Sequence, residues 1–342
     1  MYTNSEERPP LVAQFHRRAN SSRVAPAALN RRFESFRGTP ILPVVDGWIL
    51  HRAVASSAML DSTVALSDGR VLAYTDLGAS SSPLVMHCHG APSSRFELTH
   101  FDQAFAGLGV RVVTVDRPGY GGSTPQPGRR LENWPADVAA VADELGVERF
   151  GITGLSTGGA YVVASAALLP DRVVGAGVIS GVTDFSWPGA WDGFLDTEAA
   201  LMRMGDESQI SAWCEAHYGA DGMGFLDEGL GELAPADHAV FEDEAFAGAL
   251  VGAVSEAFRP GVGGYAQDLV VQGRDWSFDL GAITAPVLIV HGEADTLVPL
   301  AHPRHTAEMI KTARLLTRPE QGHISLLLEI PQLAAELVSP LR

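Results

Sequence analysis

Gly154-Leu155-Ser156-Thr157-Gly158 lies between a strand-like run, Glu148 to Gly154, and a helix-like run, Gly159 to Leu169. A serine on a sharp strand-to-helix turn presents its hydroxyl to solvent. The first N–H groups of the following helix have no partner of their own and can meet an oxyanion. In a chain with 36 Gly the five-residue pattern alone carries little weight, because it also fits an ordinary glycine-rich turn. Its setting between a strand and a helix makes Ser156 the candidate nucleophile.

Upstream of this turn, Ser62–Leu66 and Val71–Tyr74 flank the turn-like Ser67-Asp68-Gly69-Arg70 and predict a hairpin. Pro83–Cys88 and Val110–Val115 are short apolar runs suited to buried strands, with a helix expected over Arg95–Leu108 between them. Over Leu131–Leu145 the apolar residues Trp134, Val138, Val141 and Leu145 share one helical face. A strand is expected at Val173–Ser180. From about residue 183 to 283 the pattern becomes acidic and helix-like, with no convincing strand. It then resumes with strands at Pro286–His291 and Ala313–Thr317 and helices at Ala301–Ile310 and Ile324–Leu337. This alternation predicts an α/β fold with a mostly parallel, doubly wound sheet. Residues 59–182 and 284–342 would form the core. Residues 183–283 would form a helical cap inserted after the sixth strand, over the carboxyl edge where open α/β sheets bind ligands.

A serine hydroxyl needs a base, usually His, and that His needs a carboxylate to fix its tautomer. Asp295, in His291-Gly292-Glu293-Ala294-Asp295, follows a strand and is the candidate acid. Glu293 and Asp184 compete with it, and Asp295 also has the alternative role of a loop residue capping the helix near Pro299. His323, in Glu320-Gln321-Gly322-His323, is the candidate base. Of the 11 His it alone falls between the last strand and the last helix. The oxyanion hole needs two aimed N–H donors. Thr157 supplies one candidate, and Ala91, in His89-Gly90-Ala91-Pro92, the other. His87 and His89 invite a metal reading, but no acidic or Cys partner stands nearby at ligand spacing.

With these motifs in order, the chain resembles the α/β-hydrolase fold superfamily from about Asp61 to the C-terminus. The matching stretches are His89–Pro92, Asp116-Arg117-Pro118-Gly119-Tyr120-Gly121-Gly122-Ser123, the Ser156 turn, and His-Gly-x-x-Asp followed by Gly-His. Epoxide hydrolases are similar at His-Gly-x-Pro but carry Asp where this chain has Ser156, and haloalkane dehalogenases need Asp at the same position. The resemblance implies a carboxylic ester hydrolase that works through an acyl-enzyme on Ser156, with no metal or organic cofactor. Trp187, Trp191, Phe194, Met202, Met204 and Trp213 could line an apolar pocket or simply pack the cap. Alternatives are a proline iminopeptidase-like aminopeptidase, a carbon–carbon bond hydrolase, a perhydrolase, or a non-catalytic small-ligand receptor on the same fold.

The net charge of −17 is concentrated in residues 183–283, where 19 acids face only Arg203, Arg259 and Arg274. This argues against nucleic acid and anionic membranes as partners and leaves a small-molecule substrate. Cys88 and Cys214 are too few for a disulfide framework. No uncharged apolar run reaches the roughly 18 residues of a spanning helix, and no secretory leader is recognisable. A cytoplasmic location is expected. Residues 1–58 carry 8 Arg against 4 acids and show no clear period, so a poorly ordered extension is expected. The bias to Arg over the single Lys311 hints at a GC-rich coding sequence, in which Met59 would be the true start.

Overall fold

The computed structural model describes residues 60–228 and 233–341. The expectations for residues 1–58 and for Met59 lie outside the described residues. In chain order the elements are β1 (Leu60–Ala65), β2 (Val71–Gly78), β3 (Leu84–Cys88), α1 (Asp102–Leu108), β4 (Arg111–Val115), α2 (Trp134–Glu144), β5 (Phe150–Leu155), α3 (Gly158–Leu168) and β6 (Val173–Ile179). Then come α4 (Asp196–Met204), α5 (Glu207–Tyr218), α6 (Phe225–Glu228), α7 (Pro235–Val240), α8 (Glu244–Ala257) and α9 (Gly263–Gln272). The chain closes with β7 (Val287–Gly292), α10 (Ala301–Met309), β8 (Ala313–Arg318) and α11 (Ile330–Leu337). Between β6 and β7 the described residues form helices and no strand.

One eight-stranded sheet runs β1-β2-β4-β3-β5-β6-β7-β8. β1 and β2 pair antiparallel, as do β2 and β4, and every pairing from β4 through β8 is parallel. Alternate residues feed opposite faces, as the pleat requires. Leu84, Met86, Val113 and Val115 join the cluster under α2 and α3. Val85 and Val112 join the one that holds Phe105 of α1 and Leu333, Ala334 and Leu337 of α11. Both faces are covered, which is why β3, β4, β5, β6 and β7 are buried along their whole length.

The order of strands determines where a ligand can sit. The chain leaves β3 for β4 in one direction and crosses back over it to β5 in the other. At such a reversal the loops leaving the two strands splay apart and open a crevice at their carboxyl ends. The two loops that flank this crevice are Gly90–Ala91, after β3, and Ser156–Thr157, after β5.

Two helices are shorter than their sequence patterns predict. The expected helix at Arg95–Leu108 shrinks to α1, because Arg95 and Glu97 are buried and spend their polar groups on Asp116, Glu256, His87 and Gly90. Arg95 N–H, for example, donates to Asp116 Oδ1 at 2.6 Å. The expected helix at Ile324–Leu337 divides into a tight 3₁₀ turn, Ser325–Glu329, and then α11. Pro331 stands in the first turn of α11, where its missing N–H costs no helical bond.

Candidate active site

Ser156 has φ +55°, a left-handed conformation unusual for a residue with a side chain. The surroundings hold it there. Its N–H donates to Ile179 O at 2.8 Å, and its carbonyl accepts from Gly159 at 3.0 Å and Val182 at 3.3 Å. The turn is also pressed against β3. A Cβ on Gly158 would stand 2.1 Å from the Cys88 carbonyl oxygen, so no side chain fits at the start of α3. Among the described residues, neither the N–H of Thr157 nor that of Ala91 has an acceptor within the protein. Among the described residues, Thr157 Oγ1 at this turn and Gln272 Oε1 at the end of α9 are buried without a hydrogen-bond partner, while Gln272 Nε2 donates to Thr157 O at 3.4 Å.

Asp295 and His323 come together. Asp295 Oδ2 lies 2.8 Å from His323 Nδ1, and its side chain is 1% exposed. Asp295 Oδ1 accepts from the N–H groups of Leu297 and Val298, each at 2.9 Å, so one carboxylate both folds its own loop and holds the ring. Burial alone would push the Asp295 pKa up, but the charge of His323 and its hydrogen bond outweigh this and hold it below the usual carboxylate value. Burial likewise pushes His323 down, while the Asp295 charge and hydrogen bond, with smaller contributions from Asp237 and Glu97, leave it above its usual value. β5, β7 and β8 run parallel, so Ser156, Asp295 and His323 all leave the sheet at one edge. Among the described residues no hydrogen bond joins Ser156 Oγ to His323.

The loop that bears Ala91 is fixed from beneath. Arg117, fully buried, donates to the carbonyls of His89 and of Gly90, the latter at 2.9 Å. The Gly90 carbonyl and the Ala91 N–H belong to one planar peptide and point in opposite directions. Anchoring the carbonyl on Arg117 therefore turns the Ala91 N–H away from that anchor. His89 adds a bond from Nδ1 to Gly90 O at 2.6 Å and accepts the Arg117 N–H at Nε2. Its other neighbour, Gly90 N–H, donates to Glu97 Oε1 at 2.9 Å, while Glu97 Oε2 meets His87 Nε2 at 2.7 Å. The two histidines that invited a metal reading thus have all their ring nitrogens in hydrogen bonds, His87 Nδ1 meeting Thr153 Oγ1 at 2.9 Å.

Arg117 is held in turn by Asp268 of α9. Asp268 Oδ2 accepts from Arg117 Nε at 2.9 Å, Arg117 Nη2 at 2.7 Å and Tyr120 Oη at 2.9 Å. Its Oδ1 accepts from Tyr161 Oη at 2.6 Å and from Arg129. Burial would raise the Asp268 pKa, yet the two guanidinium charges hold it far below the usual range. Nothing local in the sequence marks Asp268, Glu97 or Asp237, although Arg117 and Tyr120 stand inside the stretch Asp116–Ser123.

Other candidates do not join this assembly. Glu293 is exposed, and Asp184 accepts instead from the backbone N–H groups of Ser186 and Trp276. Of the suggested pocket residues, Met204 is exposed, Trp187 stacks on His305, and Trp213 stacks on the exposed His217. Phe194 and Trp191 pack around Phe185.

A doubly wound sheet with a left-handed serine at the strand-to-helix turn and an Asp–His pair on the same edge defines the architecture of an α/β hydrolase. The model of the alpha/beta hydrolase family matches residues 84–337, and the chain belongs to that family. A bifunctional esterase/perhydrolase of Acinetobacter calcoaceticus is 30% identical over 270 residues, covering 76% of this chain and 92% of that protein. A non-heme haloperoxidase of Rhodococcus erythropolis is 28% identical over 294 residues, covering 81% of this chain and 97% of the relative. A thermophilic esterase from Thermogutta terrifontis shares the fold with a TM-score of 0.62 at 21% identity, over 84% of this chain and 98% of that one. The chain is a hydrolase of the alpha/beta superfamily. No helix among the described residues is long and apolar enough to cross a membrane.

Proposed function

We propose that this hydrolase cleaves carboxylic esters through an acyl-enzyme on Ser156. The observation that carries the reading is the 2.8 Å contact between Asp295 Oδ2 and His323 Nδ1 at the sheet edge where Ser156 emerges. With Nδ1–H held by Asp295, the neutral ring keeps its lone pair on Nε2, the form a general base needs. His323 takes the Ser156 Oγ proton as Oγ attacks the ester carbonyl. The oxyanion that forms is met by the N–H groups of Thr157 and Ala91, both without an acceptor among the described residues. His323 then passes the proton to the leaving alcohol, and the carbonyl re-forms as the acyl-enzyme. Water deprotonated by His323 attacks the acyl carbon, and the acid leaves as Ser156 recovers its proton. Every proton in this cycle moves through groups of the chain, the alcohol or water.

The esterase/perhydrolase relative supports a second acceptor. Hydrogen peroxide could replace water at the acyl-enzyme and release a peracid, with the same proton transfers through His323. Turnover of a p-nitrophenyl ester series from acetate to palmitate, with Ser156→Ala as control, tests the main reading. Release of p-nitrophenol that vanishes in the variant supports it. Cleavage of proline p-nitroanilide without ester cleavage would move the reading to an aminopeptidase.

A further inference from the structure

The helical segment between β6 and β7 reaches His323 by a route independent of the triad. Asp237, in α7, is wholly buried. Its Oδ2 accepts the backbone N–H of His323 at 2.9 Å and its Oδ1 accepts that of Ser325 at 2.8 Å. These donors open the loop and turn that follow β8, and a buried N–H without an acceptor is costly. The neighbouring glycine records the same contact. A Cβ on Gly322 would stand 2.1 Å from Asp237 Oδ2 and 2.5 Å from its Cγ, so residue 322 has no room for a side chain. Gly322 N–H itself donates to Ser325 Oγ at 3.0 Å, which closes the loop around the carboxylate.

We propose that Asp237 is a positioning residue for His323: its carboxylate holds the His323 and Ser325 backbone N–H groups and so ties the placement of the base to the seating of the segment between β6 and β7. The inference rests on the reading of His323 as the general base. It goes beyond that reading by making one helix of the overlying segment part of what aligns the base. Departure of α7 would leave both N–H groups unmet and free the loop that carries the ring.

Asp237 also acts through charge. The titratable groups that face His323 are Asp295 in the loop after β7, His291 in β7, whose Nε2 lies 3.5 Å from Asp295 Oδ2, Asp237 from α7, and Glu97 from the stretch before α1. The negative charges of Asp237 and Glu97 both favour the protonated ring, alongside the dominant Asp295. Removing the Asp237 charge lowers the His323 pKa. The ring then stays neutral, and competent as a base, to lower pH.

Asp237→Asn is the test. An amide offers one acceptor oxygen where the carboxylate offered two, and turns its NH₂ toward a backbone donor. In the folded variant kcat should fall by about 10²-fold, the order expected when a reacting group is displaced by about 1 Å. The midpoint of His323 ring titration, followed by NMR, and the acid limb of kcat/KM should both move to lower pH. Loosening elsewhere in the fold, with the Asp295–His323 contact and the neighbouring charges intact, would lower kcat and leave the titration in place. Asp237→Ala with Gly322→Ala, which puts methyl groups where the carboxylate was, carries the same expectation if the amide variant does not fold. Wild-type kcat together with an unmoved titration overturns the proposal, as does a loss of kcat with an unmoved titration. The ring titration needs no substrate. A shifted midpoint in a protein that hydrolyses no ester would therefore count against the esterase reading and leave the role of Asp237 standing.

Discussion

Asp295 divides its carboxylate between two tasks: Oδ2 meets His323 Nδ1 at 2.8 Å, and Oδ1 ties down the N–H groups of Leu297 and Val298 at 2.9 Å. The loop that carries Asp295 is thus built by Asp295 itself. Asp295→Asn keeps an oxygen for the loop but can offer His323 an amide N–H in place of an acceptor, which favours the wrong tautomer. Ester turnover should fall by about 10⁴-fold, the cost of that exchange in a serine triad, while the thermal midpoint changes little. Initial rates and thermal unfolding of the variant check both halves.

The pH profile follows from the same pair. As the proposed base, His323 must be neutral to act, and the charge and hydrogen bond of Asp295 hold its pKa above the ordinary 6.5. Activity should therefore fall as pH drops through a midpoint above that value. Stability runs the other way. A raised His pKa contributes stability that is full below 6.5 and is lost as pH rises through the raised value. Asp295, with a lowered pKa, contributes stability above its ordinary 3.8 that is lost as pH falls through the lowered value. The thermal midpoint should decline over the pH window in which kcat/KM climbs. Parallel rate and unfolding measurements from pH 5 to 9 would reveal a common window or its absence.

Much of this arrangement was legible in the sequence, and the rest was hidden for a physical reason. Buried strands such as β3 and β7 are read from local apolar runs. Asp295 and His323 stand just after strands, so chain order alone places them on sheet-edge loops. Asp237 is 86 residues from the N–H it accepts, and Asp268 is 151 from Arg117. Contacts across such separations leave no local period. Asp237 leaves a trace only in Gly322, the glycine before His323, which makes room for its carboxylate. The stretch Arg95–Glu97 misled for a related reason, since its helical pattern is overridden by bonds to Asp116, Gly90 and His87.

Asp268 lies between two buried guanidinium groups and two tyrosine hydroxyls. Asp268→Asn removes the charge they share and leaves Arg117 and Arg129 uncompensated. Breaking a buried pair on one side costs about 3–5 kcal/mol. Because Arg117 anchors the Gly90 carbonyl, kcat should fall as well, with KM less affected. Urea unfolding and steady-state rates at a temperature where the variant remains folded would separate the two effects.

The left-handed Ser156 is strained for the sake of its position. Ser156→Gly and Ser156→Ala should both be inactive toward esters. Glycine adopts φ +55° freely and alanine does not, so the glycine variant should be the more stable of the two by about 1 kcal/mol. Equal urea midpoints would mean that the turn stores no such strain.

The proposed function depends on one covalent event, the acylation of Ser156 by an ester. Mass spectrometry of the intact protein, mixed rapidly with p-nitrophenyl acetate and quenched in acid, reads that event directly. One added acetyl group mapped to the Ser156 peptide, absent in Ser156→Ala and long-lived in His323→Ala if formed there, is the expected result. Steady ester hydrolysis by the wild type with no adduct at Ser156, and undiminished turnover in Ser156→Ala, would contradict it.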